Sequence, residues 1–318
     1  MKNPSLSDPE FLDRGALDEE MTRVFEKCQD CRRCLPLCPS FPSLFEAIDG
    51  HDQEASKLTP AESQEVVDLC YQCKLCYNHC PYHPPHEWAL DFPKLMTRAK
   101  LVQAKEEGLP LVDRIGAQQD RMGKVSCFTA PVTNLAFKNR AVRLLMEKTT
   151  GIDRRWPMPE YQSRPFSKVL AERQADASHS ERVILFTTCF VEYSEAETAW
   201  AAVQVLEHNG IAVEGGYNAC CGAPFLHGGD LENARRNAEK VVAHLAPRVR
   251  EGLKIVVPGP TCSLQLKQEY PELLGTDDAR LVAENTLDLG EYVFNVAAAK
   301  KLDREFPQRI GKVAYHLP

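Results

Sequence analysis

The chain has 318 residues, with 45 Asp and Glu against 38 Lys and Arg, which gives a formal net charge of −7 at pH 7. This length allows about two domains with cores of their own, and the acidic balance excludes a general nucleic-acid binder. The charge is uneven, because residues 98–168 contain 14 Lys and Arg against 7 Asp and Glu. The middle of the chain is therefore a basic region.

The cysteine content points to metal or redox chemistry. The first residues, MKNPSLSDPEFLDRG, lack the apolar core of a secretion signal, so the thiols are expected to meet a reducing cytosol. The longest stretch without Asp, Glu, Lys or Arg covers residues 215–229, which is too short to cross a bilayer. Thirteen cysteines in such a chain favour metal ligands over a disulfide scaffold.

Two cysteine motifs with identical spacing lie within the first 81 residues. The first reads CQDCRRCLPLCP and contains Cys28, Cys31, Cys34 and Cys38. The second reads CYQCKLCYNHCP and contains Cys70, Cys73, Cys76 and Cys80. Intervals of two, two and three residues followed by proline are the spacing of bacterial ferredoxins, which predicts two [4Fe–4S] clusters.

The fourth cysteine of each motif is predicted to serve the other cluster. Three thiolates within seven residues can wrap one face of a cubane, whereas the proline helps to turn the fourth away. One cluster is therefore assigned to Cys28, Cys31, Cys34 and Cys80. The other is assigned to Cys70, Cys73, Cys76 and Cys38. Zinc is the alternative, although zinc modules usually take two cysteines from each of two knuckles.

Between the motifs, TPAESQEVVDLC predicts a helix with Thr59 as N-cap and Glu62 closing a capping box. After the motifs, residues 90–117 have mostly helical apolar spacing, and residues 135–150 predict an amphipathic basic helix ended by Gly151. That helix can lie on an anionic membrane surface, bind an acidic partner, or pack on the protein's own core.

Two further features of the middle region carry no functional prediction. Cys127 stands alone in VSCFTAP and is expected to be a small buried side chain. Residues 152–181 begin with several prolines and become polar, so they are expected to form a linker.

The last part of the chain alternates strands and helices. Apolar runs predict strands at residues 182–190, 211–217 and 253–259, and helical spacing predicts helices at residues 195–210 and 231–251. This alternation predicts a mainly parallel sheet covered by helices on both faces.

Four cysteines follow these strands. Cys189 closes the first, Cys220 and Cys221 follow the second, and Cys262 follows the third. Ligands of parallel sheets collect at the carboxyl ends of the strands, so these thiols are expected to converge on one further iron–sulfur or metal centre. Four scattered core cysteines are the alternative.

These motifs together resemble a known family, the cysteine-rich CCG proteins related to heterodisulfide reductase. The resemblance rests on the double ferredoxin motif, on the basic middle segment, and on TTCFVEY, NACCGAPF and GPTCSL. It is strongest to iron–sulfur subunits of the anaerobic glycerol-3-phosphate dehydrogenase type, whose linker is similar to DRMGKVSCFTAPVTNLAFKNRAVRLLMEKTTGIDRRWPMPEY here.

The resemblance implies an electron-transfer subunit and not an independent enzyme. Its partners would be a flavoprotein dehydrogenase, of the glycerol-3-phosphate type, and membrane quinone, and it would be cytoplasmic and peripheral on the inner face of the cell membrane. The alternatives are a disulfide-cleaving subunit like those of heterodisulfide reductases, and the iron–sulfur subunit of a glycolate or lactate oxidase.

The sequence departs from the family pattern in two places. Repeats of the family usually end in CxxC, whereas here the first of these positions is Gly259, which leaves Cys262 alone. The final residues, KVAYHLP, resemble the opening strand of a second CCG repeat, so the chain is expected to be a fragment.

The sequence thus predicts an α+β and α/β protein in three parts. Residues 1–110 are expected to form an α-helical double [4Fe–4S] ferredoxin-like domain, and residues 111–181 a basic helical connector and linker. Residues 182–318 are expected to form an α/β CCG domain with a mainly parallel sheet and the start of a second repeat.

Overall fold

A computed structural model of the chain describes residues 4–6, 8–173, 181–299, 302–303, 311–312 and 314. The described residues divide into two compact units. The first contains Met1–Pro110 with Leu226–Leu231 and Arg309–Pro318, and the second contains Leu111–Phe225 with Glu232–Gln308. The three-part division stays a prediction. KVAYHLP, the expected start of a second repeat, lies outside the described residues except for two positions.

The first unit is helical. Its helices are α1 (Arg14–Cys31), α2 (Ser40–Gly50), α3 (Pro60–Asp68), α4 (Leu75–His79) and α5 (Phe92–Glu107). Short 3₁₀ turns lie at Pro9–Leu12 and Ala55–Lys57. The helices bury one apolar core, in which the rings of Phe41 and Phe92 lie 4.6 Å apart between centroids. Five cysteines of the two motifs pack partly buried against that core, so the core positions them.

The predicted capping box of α3 is confirmed. The Thr59 hydroxyl accepts from the Glu62 N–H, and the Glu62 carboxylate accepts from the Thr59 N–H at 2.8 Å. Two orphan donors of the first helical turn are thereby satisfied. The helix ends at Asp68, two residues before Cys70, and the second motif begins in the loop that follows.

The second unit begins with five helices. These are α6 (Leu111–Gly116), α7 (Gln119–Phe128), α8 (Ala130–Lys138), α9 (Arg140–Thr150) and α10 (Phe166–Ala171). The prediction of one helix over residues 135–150 is wrong, because Asn139 has extended backbone and its side chain caps α9 by accepting from Ala141 and Val142. Gly151 ends α9 in the left-handed region, as predicted.

A four-stranded parallel sheet follows, which confirms the predicted fold class. Its strands are β1 (Glu181–Leu185), β2 (Ile211–Gly215), β3 (Lys254–Val257) and β4 (Thr286–Asp288), in the order β2-β1-β3-β4. Val183 pairs with Val213, Ile184 with Ile255, and Val256 with Leu287. The short strand β4 was not predicted, because three residues carry too little alternation to be recognised.

The remaining helices connect and flank these strands. They are α11 (Cys189–Tyr193), α12 (Ala196–His208), α13 (Ala223–His227), α14 (Leu231–Arg250), α15 (Pro260–Leu264), α16 (Tyr270–Leu274), α17 (Asp277–Glu284) and α18 (Leu289–Ala298). A π-helical turn at Gln265–Glu269 joins α15 to α16. No helix among the described residues is long and apolar enough to span a membrane.

The strand order creates a switch point between β1 and β3. From β1 the chain moves to one side of the sheet to form β2, and then returns to the other side to form β3 and β4. The connections that follow β1 and β3 therefore lead to opposite sides of the sheet, and open parallel sheets bind ligands at the carboxyl ends of the strands at such a switch point. The first predicted strand is too long, since β1 ends at Leu185 and Cys189 begins α11, with Thr188 as N-cap.

Candidate metal centres

The first motif lies at the end of α1. Cys28 and Cys31 occupy its last turn, and Arg32 then ends the helix in the left-handed region with φ 50°. This turn redirects the chain so that Cys34 follows outside the helix, and Cys38 comes just before α2. Helical spacing thus places Cys28 and Cys31 on the same face of α1, and the turn at Arg32 brings Cys34 back towards them.

The structure brings Cys80 of the second motif to three thiols of the first. Cys28, Cys31, Cys34 and Cys80 line one cavity of the first unit, together with apolar side chains and the basic residues Lys27 and Arg33. Burial, followed by the neighbouring Cys34, Cys80 and Cys31, raises the pKa of Cys28 far above its usual value. Burial likewise raises the pKa of Cys34 to about 11.

The remaining thiols gather around the second motif. Burial raises the pKa of Cys76, and the thiols of Cys34, Cys70, Cys38 and Cys73 add to that rise. Burial also raises the pKa of Cys70, and the neighbouring thiol of Cys38 in the first motif adds to that rise. The four cysteines assigned to the second cluster are therefore neighbours, and Cys34 borders both groups.

These two groups of thiols fit the donor set of iron–sulfur clusters. A raised thiol pKa means that the free site is protonated at neutral pH, so a cationic metal must displace those protons to bind. Among the described residues, no three His, Cys, Asp or Glu side chains lie close enough to hold one metal ion. An all-thiolate set of ligands is the donor set that iron–sulfur clusters use.

Four thiols of the second unit form a row at the carboxyl ends of the strands. The Cys189 thiol is within hydrogen-bonding reach of Cys220, Cys220 of Cys221, and Cys221 of Cys262. The hydrogen bond with Cys220, followed by burial, raises the pKa of Cys189 far above its usual value. The expected convergence is thus present in the geometry, although sequence spacing alone left the scattered alternative open.

The position where a fifth cysteine would stand is closed by a side chain. A Cβ built on Gly259 would lie 2.3 Å from the Cγ2 methyl of Thr188. The backbone of Gly259 is extended, with φ −131° and ψ 120°, so any residue can adopt it. The obstacle at this position is therefore the methyl group, in the loop that follows β1.

Two polar residues outside the cysteine motifs support the row of thiols. Tyr270 is fully buried and donates to the carbonyl of Cys221 at 2.8 Å. Asn237 donates to the carbonyl of Cys220 at 3.3 Å. Sequence reasoning missed both residues because they come from distant parts of the chain, where no local motif could reveal them.

Two hydrogen-bonded carboxylates, the half-buried Asp120 and the buried Glu192, lie in the same unit. Tyr193 and Tyr217 both donate to Asp120, at 2.5 and 2.9 Å. Glu192, which is 1 % exposed, accepts from the Ser167 N–H and hydroxyl and from Thr187. Burial raises the pKa of this carboxyl above its usual value.

Cys127 belongs to none of the three groups of thiols. It is 2 % exposed, and its thiol donates to the carbonyl of Tyr193 at 3.5 Å. Its expected burial as a small side chain is confirmed.

Two family models match the chain. The Fer4-like domain of citrate utilization protein B matches residues 21–106, and the cysteine-rich CCG domain matches residues 183–267. The first region contains all eight cysteines of the two motifs, and the second contains the row of four thiols. No solved structure matches the chain.

Several curated proteins are similar to the chain. One subunit of the anaerobic glycerol-3-phosphate dehydrogenase of Escherichia coli strain K12 is 29% identical over 81% of this chain, and the match spans 65% of that relative. The glycolate oxidase iron–sulfur subunit of the same strain is 23% identical over 97% of this chain and 74% of its own length. Lactate utilization protein A of Bacillus cytotoxicus is 30% identical over 36% of this chain and 48% of its own length.

The first matched region contains the two ferredoxin-type motifs, and the second, which follows it along the chain, contains the row of four thiols. The chain thus carries a Fer4-like domain of the citrate utilization protein B type followed by a cysteine-rich CCG domain, and over most of its length it is similar to an anaerobic glycerol-3-phosphate dehydrogenase subunit.

Proposed function

We propose that the chain is an iron–sulfur electron-transfer subunit. The observation that carries the proposal is the exchange between the motifs, in which Cys80 joins Cys28, Cys31 and Cys34, while Cys38 joins the second motif. Two [4Fe–4S] clusters, each held by one of these groups, would supply one-electron transfer. Cys34, which borders both groups, would keep the two centres close.

The residues around the thiols would adjust the electrostatics of such centres. Lys27 and Arg33 line the cavity of the first group, and a four-thiolate cluster carries net negative charge that these cations offset. Burial raises the pKa of Cys80, and hydrogen bonds from the backbone N–H groups of Tyr82 and His83 partly oppose that rise. Hydrogen bonds and nearby cations of this kind set cluster potentials.

The row of thiols in the second unit would hold a third centre with four ligands, namely Cys189, Cys220, Cys221 and Cys262. The closed position at Gly259 favours electron transfer over disulfide cleavage, since the latter is expected to need a fifth cysteine there. The row lies where parallel sheets bind ligands, and Tyr270 with Asn237 fixes the backbone of the vicinal pair.

The partners we propose are a flavoprotein dehydrogenase and membrane quinone. Support for the first comes from the relatives, whose names describe subunits of glycerol-3-phosphate dehydrogenase and glycolate oxidase. The substrate would be chosen by the flavoprotein, and glycerol 3-phosphate is the substrate we favour because the match to the glycerol-3-phosphate dehydrogenase subunit has the higher identity of the two.

An exposed apolar stripe on α7 and α8 supports peripheral attachment to the inner face of the cell membrane. Val125, Phe128, Val132 and Leu135 recur every three or four residues, and Phe128 is 89 % exposed. The side that packs inward carries Gly123, Cys127 and Ala130. A cleft of the same unit is lined by the basic residues Lys138, Arg140, Arg143, Arg154 and Arg155 and by Glu160, with which Lys138 pairs at 2.9 Å.

Apolar side chains flanked by Lys and Arg are typical of surfaces that bind anionic lipid. The α7–α8 stripe, defined by Val125, Phe128, Val132 and Leu135, would therefore insert at the lipid interface, while the excess of Lys and Arg over residues 98–168 would attract the head groups. Quinone, which is dissolved in the bilayer, would then be within reach of the protein.

Metal analysis and EPR after anaerobic purification test the proposed function. Two cubanes predict about eight irons and about eight acid-labile sulfides per chain, and a third centre predicts about twelve irons or more. Dithionite reduction should produce EPR signals of reduced clusters. Zinc without sulfide, or iron without any cluster signal, would overturn the proposal.

A further inference from the structure

The side chain of Gln72 connects a motif cysteine to helix α5. Its amide Nε2 donates to the Cys70 sulfur at 3.6 Å, and its Oε1 accepts from the Thr97 hydroxyl at 3.1 Å. Gln72 is 8 % exposed, so both ends of the amide are used away from water. A cluster-bound sulfur has no proton and can only accept, which requires the amide to present its NH₂ group to Cys70.

The backbone at Gln72 is held in an uncommon conformation. Its φ is 57°, in the left-handed region that residues with side chains seldom adopt. Its backbone N–H also donates a hydrogen bond to the Cys70 sulfur, and Lys100 donates to the Cys70 carbonyl at 3.2 Å. The loop is thus shaped so that backbone and side-chain donors meet at one sulfur.

The first motif has no equivalent arrangement among the described residues. The position that corresponds to Gln72 is Asp30, whose side chain is 75 % exposed and lies 3.9 Å from Lys27. The neighbouring Gln29 is buried like Gln72, but its amide donates to Asp49 at 2.9 Å. The difference follows from the backbone, because Cys28 to Cys31 lie in α1, whereas Cys70 to Cys73 lie in a loop.

A donor at a ligand sulfur favours the reduced state of a cluster. Reduction adds one negative charge, which the sulfurs share, and a hydrogen bond to a more negative acceptor is stronger. The effect is large when the donor is buried and already oriented, since no water competes and little entropy is lost. Gln72 meets both conditions because it is 8 % exposed and because its amide is held by the Thr97 hydroxyl, which is shared with the Pro93 carbonyl at 3.1 Å.

We propose that Gln72 is the residue that raises the reduction potential of the cluster held by Cys70, Cys73, Cys76 and Cys38, through its amide bond to the Cys70 sulfur. This inference rests on the proposed function, since it requires that the cluster be present. Gln72 is a positioning and tuning residue and does not ligate iron.

Potentiometric titration followed by EPR tests the inference in the full chain. In Gln72→Met, which keeps the length of the side chain and loses the donor, one of the two one-electron waves of the clusters in the first unit should move to lower potential. The ratio of reduced to oxidised cluster at fixed potential should fall about three- to tenfold, where tenfold corresponds to 59 mV for a one-electron couple. The other wave should stay in place.

Two further variants separate tuning from a structural role. Gln29→Met removes an equally buried amide beside the first motif and should leave both waves unchanged. Thr97→Val leaves Gln72 present but removes its anchor, so the same wave should move in the same direction by a smaller amount. The Thr97→Val result also tests the inference if Gln72→Met fails to assemble its cluster.

Two outcomes would overturn the inference. Unchanged waves in both Gln72→Met and Thr97→Val would show that the donor has no effect, and equal shifts of both waves would show that the effect is not local. An unsubstituted protein that lacks the two waves would instead refute the proposed function, so the two failures are distinguishable.

Discussion

The Cγ2 methyl of Thr188 lies where the side chain of residue 259 would begin, 2.3 Å from a Cβ built on Gly259. The two residues follow β1 and β3, which are neighbours in the sheet, so their loops meet at the carboxyl edge. Thr188 also caps α11, since its hydroxyl accepts from the Val191 N–H at 3.2 Å. The Thr188 methyl thus occupies the space next to position 259, while the Thr188 hydroxyl caps α11, the helix that begins with Cys189.

Introducing a cysteine at position 259 should therefore destabilise the second unit. Gly259→Cys forces overlap with the methyl and is expected to cost about 1–3 kcal/mol of unfolding free energy, measured by chemical denaturation. Thr188→Ser removes the methyl and keeps the capping hydroxyl, so Thr188→Ser combined with Gly259→Cys should recover most of that loss. A double-mutant cycle without such coupling would contradict the steric explanation.

The exchange of the fourth cysteines predicts which cluster each substitution removes. Cys38→Ser should eliminate the EPR signal that Cys70→Ser eliminates, and Cys80→Ser should eliminate the one that Cys28→Ser eliminates. Each should lower the iron content by about four atoms per chain. Cys127→Ser is the matched control, because this buried thiol lies outside the two motifs, and its iron content should be unchanged. If Cys38→Ser and Cys28→Ser abolish the same signal, the assignment is wrong.

The α7–α8 stripe predicts binding to anionic lipid. The chain should co-sediment with vesicles that contain phosphatidylglycerol, and less with pure phosphatidylcholine or at high salt, because salt screens the basic residues. Phe128→Ser with Leu135→Ser should weaken binding at least about tenfold, since each buried side chain contributes about 1.5–3 kcal/mol.

Phe294→Ser provides the control for the lipid experiment. Phe294 is 72 % exposed on α18, outside the stripe, so its replacement should leave vesicle binding unchanged. Equal losses in the control and in the stripe variant would indicate general hydrophobicity, and undiminished binding by the stripe variant would exclude the stripe as the contact.

The buried carboxyl of Glu192 predicts a pH dependence of stability. Burial raises its folded-state pKa above the ordinary value of 4.5, so the folded protein holds this proton more tightly than the unfolded chain. Its contribution is therefore present at pH below about 4.5 and is lost as the pH rises through the raised pKa. Denaturation from about pH 5 to about pH 7 should show a shallower decline in Glu192→Gln than in the unsubstituted chain.

Glu197→Gln is the control for this titration, because Glu197 is an exposed carboxylate on the neighbouring helix α12. It should retain the decline of the unsubstituted chain. Identical slopes for Glu192→Gln and the unsubstituted chain would show that Glu192 titrates as an ordinary carboxyl.

Much of the chain could be interpreted from local patterns. Local spacing in the sequence was enough to predict the two ferredoxin-type motifs and the capping box of Thr59 and Glu62. The alternation of strands and helices was enough to predict the parallel sheet. The break at Asn139 and the short strand β4 could not be predicted, since a side-chain cap can interrupt an apparently continuous apolar spacing and three residues are too few for a pattern.

The sequence by itself determined the number and spacing of the thiols, and with them the class of cofactor. Only the tertiary structure decided what surrounds those thiols: the amide of Gln72 at Cys70, and the methyl of Thr188 against Gly259. The physical reason is that the Gln72 amide is held by Thr97, which lies on α5, and Thr188 meets Gly259 only because β1 and β3 pair. Contacts between segments that are distant in the chain produce no local sequence pattern from which they could be predicted.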